Sequence, residues 1–87
     1  MTSNEGYFLN AVKVVLSVHN KRRKKYGDLW NEMGLEGNFY MIKSKFLRLQ
    51  YNFLHKSNNY EGEMDTLIDL IVYSFFQLAM LIMRKKK

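Results

Sequence analysis

The apolar segment of residues 65–83, DTLIDLIVYSFFQLAMLIM, constrains the fold of this chain more than any other stretch. At helical spacing its apolar side chains cover nearly the whole circumference, and the polar side chains recur every four residues along one seam. A helix of this kind must be covered on most sides. Because bare charge is costly inside a bundle, positive side chains are expected to face the aspartates of the seam. The seam consists of Asp65, Asp69, Tyr73 and Gln77.

The rest of the chain also favours helices. It has 87 residues, no Pro and only five Gly, and it is rich in residues that form helices well. A chain of this length forms one domain with a marginal core, and self-association is a common remedy. We therefore predict a single all-α domain over residues 1–87. The expected architecture is a small antiparallel bundle of three long helices and one short helix, assembled as a homo-oligomer.

Capping and turn residues mark the predicted helix ends. Ser3 or Asn4 is suited to cap the first helix, and Gly27 permits a turn after it. A short helix is predicted over 29–33 with Gly34 at its end. Asn38 is then expected to cap a third, amphipathic helix over 39–56.

The connection before the last helix is predicted to be short. Residues 57–62 are rich in Asn and Gly, which indicates a loop between two antiparallel neighbours. Within the last helix, the uninterrupted apolar part at 70–83 is shorter than the ~20 residues that a bilayer requires. We therefore expect no insertion into a membrane. Because no secretory signal is visible, we expect a cytoplasmic location.

Charge and cysteine content narrow the classes of function. The chain has no Cys, which excludes disulfides, thiolate metal sites and cysteine nucleophiles. Its formal net charge is +6 and its pI is about 9.7, which favours anionic partners such as nucleotides, nucleic acid or membrane surfaces. A basic run suited to contact a polyanion consists of Lys21, Arg22, Arg23, Lys24 and Lys25. A solvated basic helix end is the alternative interpretation.

Two charged seams are expected to meet between the last two helices. Lys45 and Arg48 lie on the third helix, and Asp65 and Asp69 begin the fourth. One interpretation is an interhelical ion pair that fixes the register. The other is a pocket for a phosphorylated ligand, in which cations hold phosphate and the aspartates hold Mg²⁺ or a ribose hydroxyl.

Two aromatic residues next to the basic run extend the candidate site. Tyr26 and Trp30 are suited to stack on a base beside cations; the alternative for Trp30, which is followed by Met33 and Leu35, is a place in the core. The sequence has no glycine-rich phosphate loop, no GxSxG and no HExxH, and it contains two histidines. No catalytic residue is predicted.

Four motifs in order resemble one known family. They are KYGDLW, MGLEGNF, KFLRL and DTLIDLIVY, and they span roughly residues 25–78. Together they resemble the nucleotide-modification-associated domain, type 1, a small all-helical family of phages and bacteria. The resemblance implies a role connected to modified nucleotides or bases and a distant likeness to helical nucleotide pyrophosphatases. The motif polar residues it points to are Tyr26, Asp28, Lys45, Arg48, Asp65 and Asp69.

Three functions follow as expectations. The first is a phage-type protein that binds a nucleotide or similar phosphate ligand. The second is a phage anti-defence protein that sequesters a signal nucleotide or docks on a host protein or nucleic acid. The third is a Mg²⁺-dependent nucleotide pyrophosphatase. The paired ExxE and ExxD motifs that hold Mg²⁺ in such pyrophosphatases are absent here, so we expect binding without turnover.

Overall fold

Three α-helices make up the fold. The computed structural model describes residues 3–55 and 60–85, and the helices are α1 (Asn4–Tyr26), α2 (Trp30–Leu54) and α3 (Tyr60–Lys85). The predicted all-α class is confirmed. The separate short helix is not supported, because residues 30–33 form the beginning of α2. Within α2, the backbone leaves helical geometry at Gly34, where φ is 71° and ψ is 178°.

Local signals placed the ends of α1 correctly. Ser3 caps the helix, and its Oγ accepts a hydrogen bond of 3.1 Å from the backbone N–H of Gly6. Gly27 follows the helix with a φ of 64° and donates its N–H to the carbonyl oxygen of Arg23 at 2.8 Å. The positive φ explains why glycine occupies this turn.

The predicted boundaries around the second connection need two corrections. Asn38 does not cap a helix, because it lies inside α2 and is fully buried. Residues 60–62, predicted as part of a loop, belong to the first turn of α3. Residues 56–59, which complete that predicted connection, lie outside the described residues.

Helices α2 and α3 form an antiparallel pair joined by two amides. The Asn38 side-chain N–H₂ donates to the carbonyl oxygen of Tyr73 and to Oε1 of Gln77, both at 2.8 Å. Gln77 in turn donates to the carbonyl oxygen of Leu35 at 3.2 Å. Each amide faces a backbone carbonyl, which fixes its orientation. We call Asn38 and Gln77 the amide clamp; it sets the register of the two helices.

The apolar core is small for a chain with so many large side chains. Only Val15, Val72 and Met80 are buried apolar residues in the described part of the chain. Helix α1 packs against α3 over a short stretch, so most of its apolar residues remain exposed. The chain therefore leaves wide apolar surfaces on all three helices uncovered.

Helix α3 is also long and apolar enough to cross a membrane, over Gly62–Lys85. Only 17% of its apolar window is buried. Length and composition do not separate a membrane-spanning helix from one that packs against protein, and the expectation of no membrane insertion stays a prediction.

Candidate functional site

An aromatic cleft lies between the C-terminal half of α1 and the middle of α3. Trp30 stacks on Phe76, with ring centroids 4.6 Å apart and planes inclined by 3°. Tyr73 and His19 meet Phe76 edge-on, at centroid distances of 5.8 Å and 5.6 Å. The cavity beside these rings has a volume of about 300 Å³, and Tyr26 also lines it. An apolar cavity with a few polar groups is typical of a small-molecule site.

The tryptophan on the wall of this cleft has an unusual environment. The indole Nε1 of Trp30 is buried, and it has no hydrogen-bond partner among the residues that the structure describes. Buried N–H groups are normally paired, because an unpaired donor costs free energy. The indole nitrogen is therefore a donor that the described residues leave unpaired.

Two arginines stand at the mouth of the aromatic cleft. Arg22 Nη2 lies 2.6 Å from Oδ1 of Asp69, and Arg23 Nε lies 3.2 Å from Oδ1 of Asp28. Their side chains are 43% and 62% exposed. A guanidinium has five N–H donors, so each arginine keeps donors for a further anion after it has bonded to its carboxylate. The mouth of the cleft is therefore suited to receive negative charge.

Asp69 joins all three helices through its carboxylate. Its second oxygen, Oδ2, lies 3.0 Å from Nζ of Lys45 on α2, while Oδ1 faces Arg22 on α1. Partial burial acts to raise the pKa of Asp69, but the hydrogen bonds and positive charges of Arg22 and Lys45 outweigh it. The pKa of Asp69 therefore lies below its ordinary value, and the carboxylate stays ionised at neutral pH.

The structure brings together most of the residues that the sequence pointed to. Tyr26 and Trp30 line the aromatic cleft, and Asp28 lies beside it through its ion pair with Arg23. The predicted ion pair between the last two helices forms between Lys45 and Asp69. The Lys45 side chain is only 19% exposed, so this ion pair is partly shielded from solvent.

Arg48 and Asp65 do not join this group. Both are exposed, and neither forms an ion pair within the described stretches of the chain. Arg48 lies three residues after Lys45, which turns it about 60° around the helix. Asp65 lies one turn before Asp69. The charged contact between α2 and α3 therefore involves one residue from each seam.

The basic run divides into two sets. Arg22 and Arg23 line the aromatic cleft, whereas Lys21, Lys24 and Lys25 are exposed outside it. None of these three lysines forms an ion pair with a described residue. Alternating directions along one helix explain this division, because successive residues are 100° apart.

The sequence does not single out His19 and Phe76, two aromatic residues of the cleft. Their rings contact each other there, with centroids 5.6 Å apart. Phe76 was one apolar residue among many in α3. No local signal marks either residue, because their contact joins positions 57 residues apart in the chain.

The carboxylates of the described residues do not form a ready metal site. In residues 3–55 and 60–85 no three His, Cys, Asp or Glu side chains are grouped so that they would hold a metal ion. Of the two aspartates predicted to hold Mg²⁺, Asp69 has both oxygens bonded to cations. A divalent ion would have to displace Arg22 or Lys45 from it.

Comparisons of the chain with models of known protein families, with curated proteins and with solved structures found no match. The resemblance to the nucleotide-modification-associated domain, type 1, therefore stays a prediction that rests on its four motifs.

Proposed function

We propose that this protein binds a nucleotide or a similar ligand that carries both a phosphate group and an aromatic ring, in the aromatic cleft. The observation that carries the proposal is the position of Arg22 and Arg23 at the mouth of a cavity walled by Trp30, Tyr73 and Phe76. Arginine forks bind phosphate oxygens well, and aromatic walls suit the flat face of a base.

The ion pair at Asp69 supports this function by positioning a cation. Asp69 holds Arg22 Nη2 at 2.6 Å and is itself held by Lys45. A guanidinium that is already fixed loses less side-chain entropy when it binds a phosphate. In this proposal Arg22 and Arg23 contact the phosphate, Tyr26 and Trp30 contact the ring, and Lys45 and Asp69 position Arg22.

The proposal is binding without hydrolysis. Asp69 is engaged by two cations, which supports a structural role for it rather than that of a metal ligand in a pyrophosphatase. We further propose a cytoplasmic homo-oligomer of phage type, in keeping with the motif resemblance and the exposed apolar surface.

Isothermal titration calorimetry against linear and cyclic nucleotides tests the proposal. Trp30 is the only tryptophan, so its fluorescence reports directly on the cleft. Binding should quench or shift this emission. Neither heat nor a fluorescence change with any nucleotide at low salt would contradict the proposal.

Two matched variants distinguish the contribution of a cation at the cleft from that of the general positive charge of the protein. Arg23→Gln removes a cation at the mouth of the cleft, and Lys24→Gln removes the next residue's cation outside it. A charged hydrogen bond is worth about 1.5–3 kcal/mol, so Arg23→Gln should weaken binding on the order of ten- to a hundred-fold. Lys24→Gln should change affinity by much less. Equal losses in both variants would indicate nonspecific attraction.

Polyanion binding is a second candidate function, favoured by the exposed Lys21, Lys24 and Lys25. Three lysines on one exposed helix end attract the phosphate backbone of nucleic acid or an acidic protein surface. This corresponds to the anti-defence alternative. Reversing all three charges should abolish the association while nucleotide binding in the cleft persists. Association with nucleic acid that is unchanged by the reversal would exclude this surface.

A further inference from the structure

The isolated chain exposes much more surface than a compact protein of its mass. Its accessible surface is 7387 Å², whereas a folded monomer of this mass typically exposes about 5,400 Å². Its radius of gyration is 14.7 Å, compared with about 12 Å for a compact domain of this length. The excess of roughly 2,000 Å² per chain exceeds the ~800 Å² that each partner buries in a standard interface.

Part of that surface consists of exposed apolar side chains in one row on each of two helices. On α2, Phe39, Phe46 and Phe53 recur every seven residues and therefore share one side. On α3, Leu78 and Leu81 follow Leu67 by 11 and 14 residues, so the three also share one side. All six are at least 42% exposed. We call these six residues the two-helix face.

A groove joins one end of the two rows of side chains. Phe46, Phe53 and Leu67 line one groove of about 320 Å³ between α2 and α3. Phe53 at its edge is 75% exposed, the highest value among the large apolar residues described. The face thus combines a hollow with a protruding ring. A surface that has both can pair with a copy of itself about a two-fold axis.

We infer that the two-helix face is a homodimer interface, in which Phe53 of each chain enters the groove of the other. Pairing two antiparallel helices with a second pair produces a four-helix bundle, which buries apolar rows of this spacing. The surplus surface is large enough for such an interface. The aromatic cleft uses His19, Arg22 and Arg23 of α1, and none of these residues belongs to the two-helix face.

A lipid surface is the competing occupant of this face, since α3 has the length and composition of a membrane span. Away from this face, α3 carries Asp69 bonded to Arg22 and Lys45, and Gln77, next to Leu78, is bonded to Asn38. A charged group and an amide therefore interrupt the apolar surface along the middle of the helix. A groove beside a protruding ring suits a protein interface, where the two surfaces have complementary shapes. Binding to a lipid surface does not depend on such complementarity.

Sedimentation velocity over a range of concentrations tests the dimer. The wild-type chain should sediment with twice its mass of 10.5 kDa. Central apolar contacts contribute at least 2 kcal/mol, so Phe53→Glu should weaken dimerisation by at least about thirty-fold. The matched control is Phe8→Glu on α1, which replaces a phenylalanine that is 63% exposed outside this face. It should leave the dimer intact. Circular dichroism of both variants checks that helix content is kept.

Single-cysteine cross-linking locates the interface independently of any destabilising variant. The chain has no Cys, so Gln50→Cys beside the groove introduces one thiol there, and Asn10→Cys introduces one on exposed α1. A short bismaleimide should link two copies through residue 50 and not through residue 10.

Three results would overturn the inference. One is a wild-type chain that stays monomeric at every concentration. Another is loss of the dimer in Phe8→Glu but not in Phe53→Glu. The third is a monomer that floats with phosphatidylcholine and phosphatidylglycerol vesicles and loses this binding in Phe53→Glu, which would assign the face to lipid.

Discussion

The amide clamp provides the sharpest test of how α2 and α3 are held together. Asn38 is fully buried and donates two hydrogen bonds of 2.8 Å, to the carbonyl oxygen of Tyr73 and to Oε1 of Gln77. Each such bond contributes about 1 kcal/mol net, so Asn38→Ala should lower the free energy of unfolding by about 2 kcal/mol. The higher helix propensity of Ala returns up to ~0.7 kcal/mol of this loss.

A control variant removes the effect of helix propensity from the comparison. Asn52 lies on the same helix and makes no side-chain hydrogen bond with any described residue, so Asn52→Ala changes propensity but removes no such contact. The difference between the two variants should be about 2 kcal/mol, which corresponds to a Tm difference of roughly 8–16 °C for a domain of this size.

Thermal unfolding followed by circular dichroism measures the difference, at one protein concentration because association shifts Tm. A Tm for Asn38→Ala within 2 °C of that for Asn52→Ala would refute the reasoning, since it would mean that the buried amide stabilises nothing.

Two further predictions concern Asp69 and Gly34. Because the pKa of Asp69 is lowered in the folded state, its ionised form stabilises the fold above the unfolded pKa of about 3.9, and this stabilisation is lost as the pH falls through the folded value. Urea unfolding at pH 7 and pH 3 should therefore show a smaller loss of stability in Asp69→Asn than in the wild type; equal losses would contradict the role of Asp69. Gly34 has a φ of 71° and a ψ of 178°, a region that is nearly restricted to glycine, and no atom within 4 Å would meet an added Cβ. Gly34→Ala should thus destabilise the protein by about 1–3 kcal/mol through backbone strain alone, and unchanged urea unfolding would contradict this.

Local chemistry in the sequence predicted the fold class and several helix ends. Ser3 has a side chain that caps α1, and Gly27 supplies a positive φ. Such features depend on a few neighbouring residues, so they can be identified without knowing the tertiary structure. Gly34 also carried a correct signal of a break, but the helix resumes after it, and the two parts form one element.

The role of Asn38 could not be deduced in the same way. Asparagine after a glycine is a good helix cap, and it is equally able to act as a buried double donor. The choice between these roles depends on Gln77, which is 39 residues away. The local interpretation favoured the cap, and long-range packing decided otherwise.

The basic run, residues 21–25, is a second case in which the sequence alone does not show which contacts the side chains form. Five consecutive cations are chemically alike in sequence, and their directions depend on where α1 meets α3. Only after packing does Arg22 bond to Asp69 while Lys21 faces solvent. The seam on α3 correctly indicated that Asp69 needs a positive partner. The expectation that α2 alone supplies it omitted α1, because the position of α1 follows from packing rather than from a motif.

The break at Gly34 separates two parts of α2 that have different contacts. The part before it contains Trp30, which lies in the cleft, and the part after it contains Asn38 and Lys45, which bond to α3. The dihedral angles of one residue thus set the angle between the part of α2 that lines the aromatic cleft and the part that packs against α3. Substitutions that reshape the short N-terminal part should change the shape of the cleft while the pairing of α2 with α3 is kept.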